Sequence, residues 1–162
     1  MMTLASRTLT RLFCAASFAL LLACAQADTA QTTATLDAWS TDFAAAQKSA
    51  KEQNRPLLVN FEGSDWCPPC MMLEKKVFSQ KEFLDYAKEN LVLVKLDFPR
   101  RKEQPEALKK QNQSLAEKFQ VEAFPTVLLL KAGGEEKERL VGYDGEDAAG
   151  YVAMLKEKLA KP

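Results

Sequence analysis

The sequence predicts a single α/β domain with a mixed sheet and helices on both faces, on three observations. Compact apolar runs suited to buried strands occur at "LLVNF" (57–61), "LVLVKLDF" (91–98) and "TVLLL" (126–130). Stretches with apolar residues at helical spacing alternate with them, and a strand, helix, strand order argues for a crossover and parallel pairing. Gly133-Gly134, between "TVLLL" and "ERLVGY" (138–143), marks a hairpin.

Each element has its own signal. From Leu36 to Asn54, Trp39, Phe43, Ala46 and Ala50 step at helical spacing, and Pro56 ends the stretch. After "LLVNF", Cys70, Leu73 and Val77 fall on one face of a helix beginning at Cys67; Phe83, Leu84 and Ala87 resume it after Ser79. Leu108, Leu115 and Phe119 mark a helix through "EALKKQNQSLAEKF". Ala148, Tyr151, Val152, Leu155 and Leu159 form a terminal amphipathic one. The predicted order is α-β-α-β-α-β-β-α.

The first residues read as an export leader rather than as fold. Arg7 and Arg11 precede an apolar run from Leu12 to Ala23, and no acid appears before Asp28. That run is about a dozen residues, short of the roughly twenty a membrane-spanning helix needs. Two cleavage sites compete. Ala25-Gln26-Ala27 is a small-x-small site giving a signal peptide of 1–27; Leu21-Leu22-Ala23-Cys24 resembles a lipoprotein box, giving a leader of 1–23 and a lipid anchor on Cys24. A linker (28–35) and one domain (36–162) follow. Export to the periplasm, or anchoring there as a lipoprotein, is expected.

The full chain carries 22 Lys and Arg against 22 Asp and Glu. Loss of Arg7 and Arg11 leaves the remainder slightly acidic, which argues against a nucleic-acid partner. The one basic cluster, "PRRK" (99–102), reads as a solvated loop.

Of four cysteines, Cys14 leaves with the leader and Cys24 is removed or lipidated, so Cys67 and Cys70 have only each other. Export permits a disulfide between them. A ring that small removes little unfolded-state entropy, so a structural staple is disfavoured. Zinc is disfavoured too, because structural sites want four Cys or His ligands and the chain has no histidine. Copper(I) accepts two thiolates, and Met71 and Met72 sit alongside; methionines there also read as core filler. A copper(I) carrier and a non-catalytic interaction module therefore stand as alternatives to thiol chemistry.

The chemical reading follows from position. A cysteine at a helix N-cap meets unpaired backbone N–H groups and the positive end of the macrodipole, which favour the nucleophilic thiolate. Cys67 is expected there as an accessible nucleophile, with Cys70 one turn on as the buried resolving thiol. Pro68 and Pro69 fit the first turn but delete two donors a thiolate could use. The couple is therefore expected to be a reductant, not one near the most oxidising couples at about −120 mV.

"LLVNF", then "WCPPC", then "VEAFPTVLLL" resemble, in order and spacing, the thioredoxin superfamily. The segment "GSDWCPPC" is similar to exported bacterial thioredoxin-like proteins. The resemblance implies a central mixed four-stranded sheet, a cis-Pro125 against the Cys67–Cys70 pair, and Phe124 and Thr126 with backbone open to an extended substrate. It also implies that Trp66 shields the thiols and contacts substrate. The family's buried aspartate is absent, and Asn60 stands nearest its place. Glu62, on the same strand face, with Lys95 on the neighbouring strand, is the candidate proton relay; the alternative is an exposed loop glutamate. No cofactor or metal is implied. The expected partners are protein disulfides and a membrane thiol donor, acting on a monomer.

Overall fold

The computed structural model describes residues 38–161. The expected leader, Cys14, Cys24, the linker and the first residues of the expected opening helix lie outside the described residues.

Alternation along β2 (Leu57–Glu62) sends Leu58 to one face of the sheet and Leu57, Val59 and Phe61 to the other. Every residue of β2 is buried, because it is the central strand. It pairs parallel with β3 (Val92–Asp97) and antiparallel with β4 (Thr126–Leu130), which forms a hairpin with β5 (Glu136–Val141). Gly134 takes φ 100° in that hairpin, a left-handed conformation that favours glycine. A two-residue strand, β1 (Trp39–Ser40), pairs parallel with β3. The sheet order is β1-β3-β2-β4-β5.

The fifth strand departs from the four expected, and the reason lies in Trp39. At i, i+4 a single helix would put Trp39 and Phe43 on one face. Instead Trp39 packs on Phe78 and Phe83, at ring separations of 5.0 and 6.3 Å, whereas Phe43 buries in the opposite layer. Between them Ser40 and Asp42 exchange side-chain and backbone hydrogen bonds. Asp42 then caps α1 (Phe43–Gln53) by accepting the Ala45 N–H at 2.9 Å. Asn54 closes the helix in a left-handed conformation, φ 50°.

One layer holds α1 and α4 (Glu106–Lys118), over Val59, Phe61, Val94, Leu96 and Leu128. The other holds α2 (Pro68–Leu73), a single π-helical stretch (Glu74–Phe78), α3 (Lys81–Asn90) and α5 (Ala148–Ala160), over Leu58, Leu93, Val127 and Leu129. Among the described residues, no helix is long and apolar enough to cross a membrane.

Candidate active site

Gly63 ends the central strand and turns the chain. Its carbonyl accepts the N–H groups of Trp66 and Cys67, at 3.3 and 3.0 Å. A Cβ on Gly63 would stand 2.4 Å from Trp66 Cε2, so glycine is required by the close approach of the indole. The turn is tied down by Asp97, whose carboxylate accepts the Ser64 N–H (2.9 Å) and Oγ–H (2.6 Å).

Cys67 is the N-cap of α2, with Pro68 and Pro69 in the first turn as their missing N–H groups allow. Its Sγ is bonded to that of Cys70 and also accepts the Cys70 N–H at 3.3 Å. Cys67 is only 3 % exposed and Cys70 2 %, so the accessible Cys67 expected from the sequence is not found in this oxidised form. The physical reason is local: bonded to Cys70, the sulfur is turned into the first helical turn. Met71 and Met72 also depart from expectation. They are 45 % and 46 % exposed instead of packed in the core, since Leu73 and Val77 take the inward positions.

Trp66 donates through Nε1 to the Phe98 carbonyl at 2.7 Å and meets the Phe124 ring edge-on at 5.7 Å. Phe98 and Phe124 rings lie 5.1 Å apart. Trp66 is thus a half-buried member of an aromatic cluster one residue ahead of Cys67. The Phe124-Pro125 bond is cis. Pro125 is buried, and its carbonyl accepts the Gly142 N–H at 2.8 Å. Thr126, expected to offer backbone to a substrate strand, is flanked by Phe61 on one side and Val141 on the other. Its hydroxyl donates to the Ala123 carbonyl at 2.8 Å, so it supports the turn and presents no open edge.

Asn60 and Glu62 point from β2 toward α2, as alternation requires. Glu62 is 4 % exposed, which overturns the exposed-loop alternative. Asn60 Nδ2 donates to Glu62 Oε2 at 2.7 Å. Burial pushes the Glu62 carboxyl up to about 7 against the pull of Lys95, with Glu74 and Asp97 adding to the rise. Lys95 Nζ lies 4.0 Å from Glu62 Oε1 but only 2.9 Å from Glu74 Oε2, so the lysine is shared and Glu74 holds it more closely. Glu62, Cys70, Met71 and Glu74 line one cleft of about 410 Å³.

Glu74 was not singled out in the sequence, although its spacing of four from Cys70 puts it on the same helical face. Asp65 was missed as well. Its carboxylate accepts the backbone N–H groups of Arg100, Arg101 and Lys102, and these bonds hold it below the usual carboxylate range. Residues 100–102 are therefore exposed, as expected, but not merely solvated: Asp65, two residues before Cys67, clamps their backbone. No cluster suited to a metal ion occurs among the described residues.

A two-cysteine disulfide capping a helix, sharing a cleft with a buried carboxylic acid, in a chain whose cis-proline turn carries Phe124 against Trp66, defines a thiol:disulfide exchange protein. The family model of the thioredoxin-like domain matches residues 43–157, and the chain belongs to that family. It is 32 % identical over 117 residues to the disulfide bond reductase DsbH of Chlamydia pneumoniae, covering 72 % of this chain and 70 % of that one. The thioredoxin-related protein DsbJ of the same organism is 33 % identical over 108 residues, which is 67 % of this chain and 31 % of DsbJ. A solved DsbH oxidoreductase structure superposes with a TM-score of 0.71 at 31 % identity, over 76 % of this chain and 85 % of that one.

Proposed function

We propose that this chain is an exported thiol:disulfide oxidoreductase that reduces disulfides in other proteins. The observation that carries the reading is the Cys67–Cys70 disulfide with Cys67 as the helix N-cap. In the reduced form, the Cys67 thiolate attacks one sulfur of a client disulfide. The client S–S bond breaks, one client sulfur leaves as thiolate, and a mixed disulfide forms on Cys67. Cys70 then passes its proton to Glu62 and attacks Cys67 Sγ. The Cys67–Cys70 bond forms, the second client sulfur leaves, and two electrons have passed to the client. A membrane dithiol donor restores the reduced pair.

Trp66, Phe124 and the turn at Pro125 form the docking surface in this scheme. Lys95 tunes Glu62, and Thr126 braces the turn. The leader 1–27, or lipidation at Cys24 after a leader 1–23, delivers a monomeric domain (36–162) beyond the cytoplasmic membrane. Mass spectrometry of the mature N-terminus distinguishes the two.

The test is insulin reduction by the parent and by Cys67→Ser. Serine is a good N-cap, so the variant keeps its helix start while losing the nucleophile. Activity in the parent and none in the variant is expected; equal rates would remove Cys67 from the reaction. A Cys70→Ser variant should accumulate mixed disulfides on Cys67.

One observation favours a second reading, copper(I) carriage: Met71 and Met72 are exposed beside the thiol pair, and Met71 shares the cleft with Cys70. Stoichiometric copper(I) retention by the reduced protein, without insulin reduction, would select it.

A further inference from the structure

Segment 99–102 carries three cations and is held against Asp65 and Trp66, the residues just ahead of Cys67, by two sets of contacts. Asp65 accepts the N–H groups of Arg100 (3.0 Å), Arg101 (2.7 Å) and Lys102 (3.1 Å), which holds the backbone two residues from Cys67 in sequence. The Arg100 guanidinium lies over the Trp66 ring, 3.7 Å from its centroid. Trp66 is itself fixed by Phe98 and Phe124.

Among the described residues, Arg100, Arg101 and Lys102 form no salt bridge with a carboxylate. The Asp65 carboxylate is engaged by their backbone N–H groups instead. A guanidinium held over an aromatic ring, with no carboxylate partner of its own, keeps N–H donors for bidentate pairing with a carboxylate. Its stacking lowers the entropy lost when that pair forms. Without these three cations the chain carries 19 Lys and Arg against 22 Asp and Glu, and the adjoining cleft is edged by Glu103 and Glu106 as well as Lys109. The basic area is therefore the size of a short acidic peptide segment, not of a long polyanion.

We propose that Arg100, with Arg101 and Lys102, selects clients whose reducible cysteine is flanked by Asp or Glu. This rests on the thiol:disulfide oxidoreductase reading above and names its substrate class. Arg100 would take the flanking carboxylate while Cys67 attacks the neighbouring sulfur; Asp65 is a positioning residue that keeps the loop in register with the thiol.

The experiment follows single-turnover reduction by the reduced protein of two disulfide peptides, identical except for Glu or Lys beside the cysteines. Rates are normalised in each protein to a small uncharged disulfide. At low salt the Glu peptide is expected to react at least about fivefold faster than the Lys peptide, with the ratio shrinking as salt is raised. In the triple variant Arg100→Glu, Arg101→Glu, Lys102→Glu the ratio should invert. The N–H groups that Asp65 accepts belong to the backbone and remain in the variant, and circular dichroism checks the fold.

A parent ratio near one, or a ratio unchanged in the triple variant, would overturn the proposal while leaving the oxidoreductase reading intact. Failure to reduce any of the three disulfides, the uncharged one included, would overturn both. Charge-dependent binding to phosphatidylglycerol vesicles without peptide preference would assign the loop to a lipid surface and overturn it too.

Discussion

Asn60 Nδ2 donates to Glu62 Oε2 at 2.7 Å, joining two buried side chains two residues apart on the central strand. Glu62 is the only carboxylic acid among the fully described buried residues, and burial pushes it up to about 7 from an ordinary 4.5. Between those values the folded protein keeps a proton that the unfolded chain releases. Stability therefore falls as pH rises from 4.5 through 7, and the loss is complete above 7. Glu62→Gln removes that penalty. Urea unfolding should show the variant gaining on the parent between pH 4.5 and 8, by on the order of 3 kcal/mol. A pH-independent difference would mean that Glu62 does not titrate in this range.

The same titration should appear in the chemistry. Below pH 7 a protonated Glu62 cannot accept from Cys70; above it, it can. Release of the client from the mixed disulfide should accelerate through pH 7 in the parent. Glu62→Gln should lose that rise and run about tenfold slower or worse at pH 8. Stopped-flow tryptophan fluorescence measures the step, and coincident profiles would dismiss Glu62 as the base.

Glu74→Gln frees Lys95 from its closer partner, at 2.9 Å, for the carboxylate 4.0 Å away. It also removes a negative neighbour of Glu62. Both changes favour ionised Glu62, so its titration should move down toward the ordinary carboxylate range. Carbon-13 carboxyl NMR reads it directly, and an unmoved midpoint would exclude Glu74 from control of Glu62.

Gly63→Ala forces a methyl into the space held by the Trp66 indole. The ring must swing away, giving up its hydrogen bond to Phe98 and its contact with Arg100. A destabilisation of about 1–3 kcal/mol is expected, with a shift in tryptophan emission. An unchanged spectrum would mean the turn yields in place of the ring.

Pro68→Ala and Pro69→Ala each restore a backbone N–H in the first turn below Cys67, where Cys70 N–H is now the donor to Sγ. An added donor stabilises the thiolate of the reduced form, so the couple should become more oxidising. Glutathione equilibration should show a rise of tens of millivolts, about 30 mV for each tenfold change in the equilibrium constant. The parent should lie well below about −120 mV.

Most of the fold was legible. Alternation in "LLVNF" and the period of three and four from Cys70 to Val77 report directly on which side chains face a core, whatever that core contains. The helix start at Cys67 was readable because capping is a local preference, carried by Cys67-Pro68-Pro69 themselves. Trp39 was misplaced because its spacing to Phe43 fits a helix, and only the second layer, with Phe78 and Phe83, draws it to the other side of the sheet.

By itself the sequence determined the two-cysteine couple, its seat at a helix N-terminus and the strand face shared by Asn60 and Glu62, because each depends on neighbours within a turn or a pleat. The tertiary structure alone decided the burial of Glu62, the division of Lys95 between Glu62 and Glu74, and the clamp of Asp65 on a loop 35 residues away. Those depend on what packs over a side chain and how much water it excludes. That desolvation, which local spacing does not encode, turns an ordinary glutamate into one that titrates near neutrality.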